Sequence, residues 1–114
     1  MKYIIDFDDF SNMKEQEIQK QIIDYLKLKK FVVFKHRNVG IYKKSTGTYI
    51  PLSYGEKGIS DIIACSPNGV FCAIEVKNKG GKPSQEQTEF LDRVRRNKGV
   101  GILAYNLDDI LNQL

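Results

Sequence analysis

The stretch Gly58-Ile59-Ser60-Asp61-Ile62-Ile63-Ala64-Cys65-Ser66-Pro67-Asn68-Gly69-Val70-Phe71-Cys72-Ala73-Ile74-Glu75-Val76-Lys77 decides the fold. Residues 59–65 and 70–76 are apolar, strand-like runs, and Ser66-Pro67-Asn68-Gly69 between them supplies turn chemistry for a hairpin. With Pro67, Asn68 and Gly69 in a type I turn closed by a left-handed glycine bulge, Ser66 pairs with Val70 and every later pair follows from that register. Asp61 then lies directly opposite Glu75. Opposed residues have Cβ atoms about 4.5–5.5 Å apart, so the two carboxylates converge where one divalent cation can bridge them. Two acids this close repel each other unless a cation lies between them, which gives the cation a physical reason to be there. Strand alternation turns Lys77 to the same face as Glu75. A carboxylate pair with a neighbouring ammonium suits metal-dependent phosphodiester hydrolysis. The metal polarises the phosphate and generates hydroxide, while the lysine orients the attacking water and neutralises charge growing on the phosphate oxygens.

The rest of the chain is read around this hairpin. A length of 114 residues with 41% hydrophobic content predicts one globular domain over 1–114. No apolar run approaches the roughly 20 residues that span a bilayer, and Met1-Lys2-Tyr3-Ile4-Ile5-Asp6 lacks a signal-peptide core, so a soluble protein of the cell interior, cytoplasmic, is expected. Cys65 and Cys72 have neither metal-ligand nor redox spacing and read as buried free thiols. The net charge of +4 is compatible with a nucleic-acid partner without diagnosing one. Lysines and arginines crowd the middle of the chain, whereas Asp6, Asp8 and Asp9 make its start acidic. Any single lysine reads equally well as ordinary solvated surface.

Residues 14–29 carry Ile18, Ile22, Tyr25 and Leu26 at helical spacing. Glu15 lies on that stripe, while Glu17, about 200° round the helix, faces solvent. An acid on the inward edge of a helix needs a partner; Glu15 is either satisfied locally or is a third ligand to the metal. Residues 31–36 read as a buried strand. Residues 37–58 hold four glycines and a proline among polar residues, which predicts a loop or short hairpin and a basic surface able to meet nucleic acid. After the central hairpin, Gly80-Gly81-Lys82-Pro83 breaks the chain and Ser84 starts a second helix with Phe90, Leu91 and Val94 inward. Ser84 and Gln87 match a capping box, and Gln87 is also placed to reach a phosphate or metal-bound water. Gly99 ends that helix, residues 101–105 form a last strand, and Asn106 with Asp109 caps a short helix.

Several patterns carry no site. Gly80-Gly81-Lys82-Pro83 lacks the spacing and hydroxyl of a phosphate-binding loop. Asp6, Asp8 and Asp9 lack the downstream glycine and glutamate of a calcium loop. His36, the only histidine, has no triad partner pattern and reads as a structural or phosphate-contacting strand-end residue.

The ordered set Glu15-x-x-Ile18-Gln19, Arg37-Asn38-x-Gly40, Gly58-x-x-Asp61, Glu75-x-Lys77 and Ser84-x-x-Gln87 resembles the PD-(D/E)XK nuclease superfamily, specifically its VRR-NUC branch of virus-type replication-repair nucleases. Ser60 stands where proline is frequent in that branch and changes no ligand. The resemblance implies an α/β fold with a restriction-endonuclease-like core: a small mixed sheet flanked by helices in αβββαβ order, plus a short C-terminal helix. It implies that Asp61, Glu75 and the Val76 backbone carbonyl ligate magnesium or manganese and that Glu15 completes or supports the shell. Lys77 and Gln87 would position water and phosphate, and Arg37, Asn38, Lys43, Lys44, Lys79 and Lys82 would meet DNA. Stand-alone members of this size, many from phages, resemble homodimeric resolvases of four-way (Holliday) DNA junctions. The expected activity is therefore that of a metal-dependent, structure-selective DNA endonuclease of repair type. The alternatives are an exonuclease or restriction-type nuclease on the same fold, and a catalytically silent nucleic-acid-binding module.

Overall fold

The computed structural model describes residues 13–36, 40–51 and 57–114, the two strands within 40–51 by their backbone alone. The first helix, α1 (Glu15–Leu28), forms where the apolar stripe predicts it, with Ile18, Ile22 and Leu26 buried and Glu15 and Glu17 in the first turn, where the helix dipole favours acids. Four strands build the main sheet: β1 (Val32–Lys35), β4 (Ile62–Cys65), β5 (Phe71–Val76) and β6 (Val100–Ala104), in the spatial order β1-β4-β5-β6. Pairs β1/β4 and β4/β5 are antiparallel, whereas β5/β6 is parallel. A parallel pair needs a crossover, and α2 (Gln85–Arg96) provides it. The short strands β2 (Gly40–Lys43) and β3 (Thr48–Pro51) form a separate antiparallel hairpin inserted between β1 and β4, and α3 (Leu107–Leu111) closes the chain. With that hairpin set aside, the order is the expected αβββαβ followed by a short helix.

Strand alternation divides the sheet into two apolar faces. Ile62, Ala64, Cys72, Ile74, Val76, Ile102 and Ala104 pack with Ile18, Ile22 and Leu26 of α1 and Ile110 of α3. On the opposite face Ala73 packs with Phe90, Leu91 and Val94 of α2, bordered by Ile59, Ile63 and Leu103. Helices on both faces explain why β5 is apolar almost throughout rather than alternating.

Three local expectations change. The reading of residues 31–36 as a buried strand does not hold: β1 is an edge strand, and Val32 and Phe34 are 58% and 62% exposed. Their partners across the ladder include Cys65 and Ile63, on the α2 face, but α2 covers β5 and β6 and leaves β1 open. The second change concerns the end of α2. The left-handed residue there is Lys98, with a φ of 71°, and Gly99 comes after it. Gly99 is instead required for room, since a Cβ would stand 2.7 Å from Val94 Cγ1 and 2.9 Å from the Phe71 carbonyl. Third, only Cys72 is buried; Cys65 is half-buried, and both thiols are free. Consecutive positions point to opposite faces, and Cys72 pairs with Ala64, so Cys65 lies on the other side of the sheet from it.

Candidate active site

The β4–β5 turn sets the geometry. Gly69 N–H donates to the Ser66 carbonyl at 2.8 Å, Ser66 N–H to the Val70 carbonyl at 2.9 Å, and Gly69 takes a φ of 82°. Ser66 Oγ accepts from Val70 N–H at 3.0 Å, a second closure supplied by the side chain. The ladder then runs Cys65 with Phe71, Ala64 with Cys72, Ile63 with Ala73 and Ile62 with Ile74. This is the predicted register. One step further along it, Asp61 stands opposite Glu75, on the face that α2 covers.

The two acids are in unlike environments. Asp61 is half-buried, and its Oδ2 accepts from Val76 N–H at 2.9 Å, so the carboxylate takes the place of a ladder carbonyl where the strand begins. Glu75 is fully buried, and among the described residues neither of its oxygens has a hydrogen-bond partner. The Lys77 ammonium lies 3.8 Å from Glu75 Oε1. Burial first, and the Asp61 charge second, raise the Glu75 carboxyl from 4.5 to about 7, while Lys77 pulls it the other way. A buried carboxyl with no donor is costly. Two bare oxygens beside a second carboxylate form an acceptor-only pair, the donor set of a hard cation such as magnesium or manganese. The residues present fit the metal that the resemblance implies; Asp61 and Glu75 are the side chains that would hold it, with the Val76 carbonyl next in the chain.

The other expected site residues are placed less centrally. Gln87 is committed to the capping box: its Oε1 accepts from Ser84 N–H at 2.8 Å, and its own N–H donates to Ser84 Oγ at 3.1 Å. Glu15 is half-buried in the first turn of α1, while Glu17 is exposed. Among the described residues no three His, Cys, Asp or Glu side chains form a group able to hold a metal, so Glu15 is not gathered with Asp61 and Glu75. The reason is the layer: α1 packs on the sheet face opposite the one that carries the acids. Lys79 and Lys82 are exposed on the loop that follows Lys77, and Lys44 is exposed at the tip of the hairpin. The Tyr105 hydroxyl anchors the Lys79–Lys82 loop by donating to the Gly81 carbonyl at 2.9 Å. Arg37, Asn38 and the side chain of Lys43 lie outside the described residues.

A structural role also emerges for Gly58 of the Gly-x-x-Asp pattern. It has a φ of 71°, and a Cβ there would come within 2.2 Å of the Glu86 carbonyl carbon and 2.6 Å of Gln87 N. The segment entering Asp61 is thus seated directly on the first turn of α2. Gly58→Ala is expected to cost about 1–3 kcal/mol, the scale of overpacking combined with a forbidden backbone angle, and to lower activity by shifting Asp61. A melting temperature equal to wild type would contradict this contact.

A solved structure described as "VRR_NUC domain" superposes on 89% of this chain and 97% of its own length, with a TM-score of 0.61 and 20% sequence identity. The chain has the VRR_NUC fold. No protein-family model and no curated protein matches the sequence. The VRR_NUC likeness rests on three-dimensional arrangement, with the mixed four-stranded sheet and its flanking helices as its substance. No helix among the described residues is long and apolar enough to cross a membrane.

Proposed function

We propose that this chain is a metal-dependent nuclease that hydrolyses phosphodiester bonds of DNA. The observation that carries the reading is Glu75: a fully buried carboxylate whose two oxygens make no hydrogen bond among the described residues, opposite Asp61 and 3.8 Å from the Lys77 ammonium. Bound magnesium or manganese would supply Lewis-acid polarisation of the phosphate and a low-pKa water. Asp61 and Glu75 hold that charge in place, and the Val76 N–H fixes the Asp61 carboxylate so that it presents a constant geometry. Lys77, only 17% exposed at its side chain, is held close enough to the pair to place an ammonium beside the developing phosphorane charge. Exposed Lys79 and Lys82 extend the positive surface along the strand exit, where phosphate contacts give affinity with little base readout.

The substrate proposed is branched DNA, a four-way junction, cut by a homodimer. One small domain offers one site, whereas resolving a junction takes two symmetric incisions, and a twofold dimer presents two sites to a twofold substrate. The test is magnesium-dependent cleavage of linear, flapped and four-way DNAs alongside the solution mass. Junction preference in a dimer is expected, with affinity falling steeply as salt rises. A monomer that cuts linear and branched DNA equally would replace this substrate with that of an exonuclease or restriction-type nuclease, and binding without cleavage in any metal would leave a silent binding module.

Glu15 stands on α1, across the sheet from the acid pair, so any part it takes in the metal site is indirect. Glu15→Gln is expected to weaken metal-dependent turnover, while Glu17→Gln, exposed on the other side of the helix, stays close to wild type. Metal titrations of both variants check the ranking, and equal turnover would leave Glu15 with its first-turn dipole role alone.

A further inference from the structure

Extending the β1/β4 register by one step brings a third side chain into the row of acids. Val32 pairs with Cys65 and Lys35 with Ile62, so His36 pairs with Asp61, and its N–H donates to the Asp61 carbonyl at 2.7 Å. Across the sheet the row therefore reads His36 on the β1 extension, Asp61, Glu75, then Leu103 on β6. Directly paired side chains share a face, which places His36 on the same face as the two acids. His36 is half-buried, and its ring makes no hydrogen bond among the described residues. It is not gathered into a metal-holding group with Asp61 and Glu75. Each strand adds about 4.8 Å, so its backbone stands two strands from Glu75, beyond the reach of a shared ion and within reach of what the ion binds.

We infer that His36 is a substrate-binding residue, whose imidazole N–H donates to a non-bridging phosphate oxygen of the DNA strand lying across this row, on the Asp61 side of the scissile bond. The inference rests on the nuclease reading of Asp61 and Glu75. A donor with no partner among the described residues, at the sheet edge beside an acceptor-only pair, suits the acceptor-rich phosphate backbone of DNA. Side-chain N–H donors hold phosphates alongside the lysines and arginines. α2 packs on β5 and β6 and not on β1, so this helix does not stand over the His36 edge.

The test is the Kd for labelled four-way and linear DNA measured without metal, for wild type, His36→Ala and His36→Gln, with folding checked by circular dichroism. Loss of a hydrogen bond to a charged acceptor is expected to weaken binding about tenfold or more in His36→Ala. His36→Gln, which keeps an N–H donor, is expected to recover most of it. With magnesium, His36→Ala should raise KM while kcat stays near wild type. Unchanged Kd in His36→Ala overturns the inference, as does equal weakening in both folded variants, which would mark a structural role. Glu75→Ala in the same cleavage assay separates the two ideas: full cleavage by that variant sinks the nuclease site, whereas an inactive Glu75→Ala beside an unaffected His36→Ala sinks only the phosphate contact.

Discussion

Glu75→Ala is expected to abolish metal-dependent cleavage and, without metal, to leave the melting temperature unchanged or higher. The side chain removed is fully buried and makes no hydrogen bond among the described residues, so its loss gives up only the 3.8 Å approach of the Lys77 ammonium and relieves the repulsion with Asp61. Asp61 differs in this respect. Its carboxylate accepts from Val76 N–H, and Asp61→Ala would strand that donor at a cost of about 1–3 kcal/mol. Asp61→Asn keeps an acceptor and removes the charge, so it is the variant expected to be inactive and still folded. Magnesium-dependent turnover close to wild type in Glu75→Ala or Asp61→Asn would show that the chemistry lies elsewhere.

The same burial gives a pH signature. Folded Glu75 titrates near 7 rather than at 4.5, so between those values the folded chain holds a proton that the unfolded chain releases. The Glu75 contribution to metal-free stability is therefore fully present below about pH 4.5 and is lost as pH rises through about 7. Denaturant midpoints measured across that window should fall in wild type and stay flatter in Glu75→Ala. Stabilisation by added magnesium should grow over the same interval, because the metal requires the ionised carboxylate. Midpoints in wild type that rise through the window would contradict the assigned environment of Glu75.

Lys77→Ala is expected to lower the cleavage rate by at least about a hundredfold, the scale of removing one charge-stabilising donor, with DNA affinity nearly kept. Its ammonium lies 3.8 Å from Glu75 and is mostly enclosed, so it acts at the site rather than on the outer phosphate surface where Lys79 and Lys82 lie. Single-turnover rates and Kd measured together distinguish the two roles. A variant that loses DNA binding and retains its rate on bound DNA would move Lys77 to the phosphate-contact class.

Sequence by itself determined whatever depends on local chemistry. Ser66-Pro67-Asn68-Gly69 specifies its turn through backbone angles that few residues accept, and a turn fixes the register of the strands that leave it. The opposition of Asp61 and Glu75, and the shared face of Lys77, were therefore legible before any tertiary contact was known. The same holds for the Ser84–Gln87 capping box and the Asn106 cap, which are closed within one helical turn. Only the tertiary structure decided what depends on distant chain segments. The β1/β4 pairing spans an inserted hairpin, so neither the exposure of Phe34 nor the alignment of His36 with Asp61 follows from spacing. Periodicity placed Glu15 on the inward stripe of α1 but could not say which sheet face that stripe covers, and the face is what separates it from the acid pair. Gly58 likewise takes its meaning from the Glu86–Gln87 backbone, nearly thirty residues on, which occupies the space where a side chain would stand. A turn acts over a few bonds, whereas the choice of sheet neighbours and covering helices is a collective property of packing.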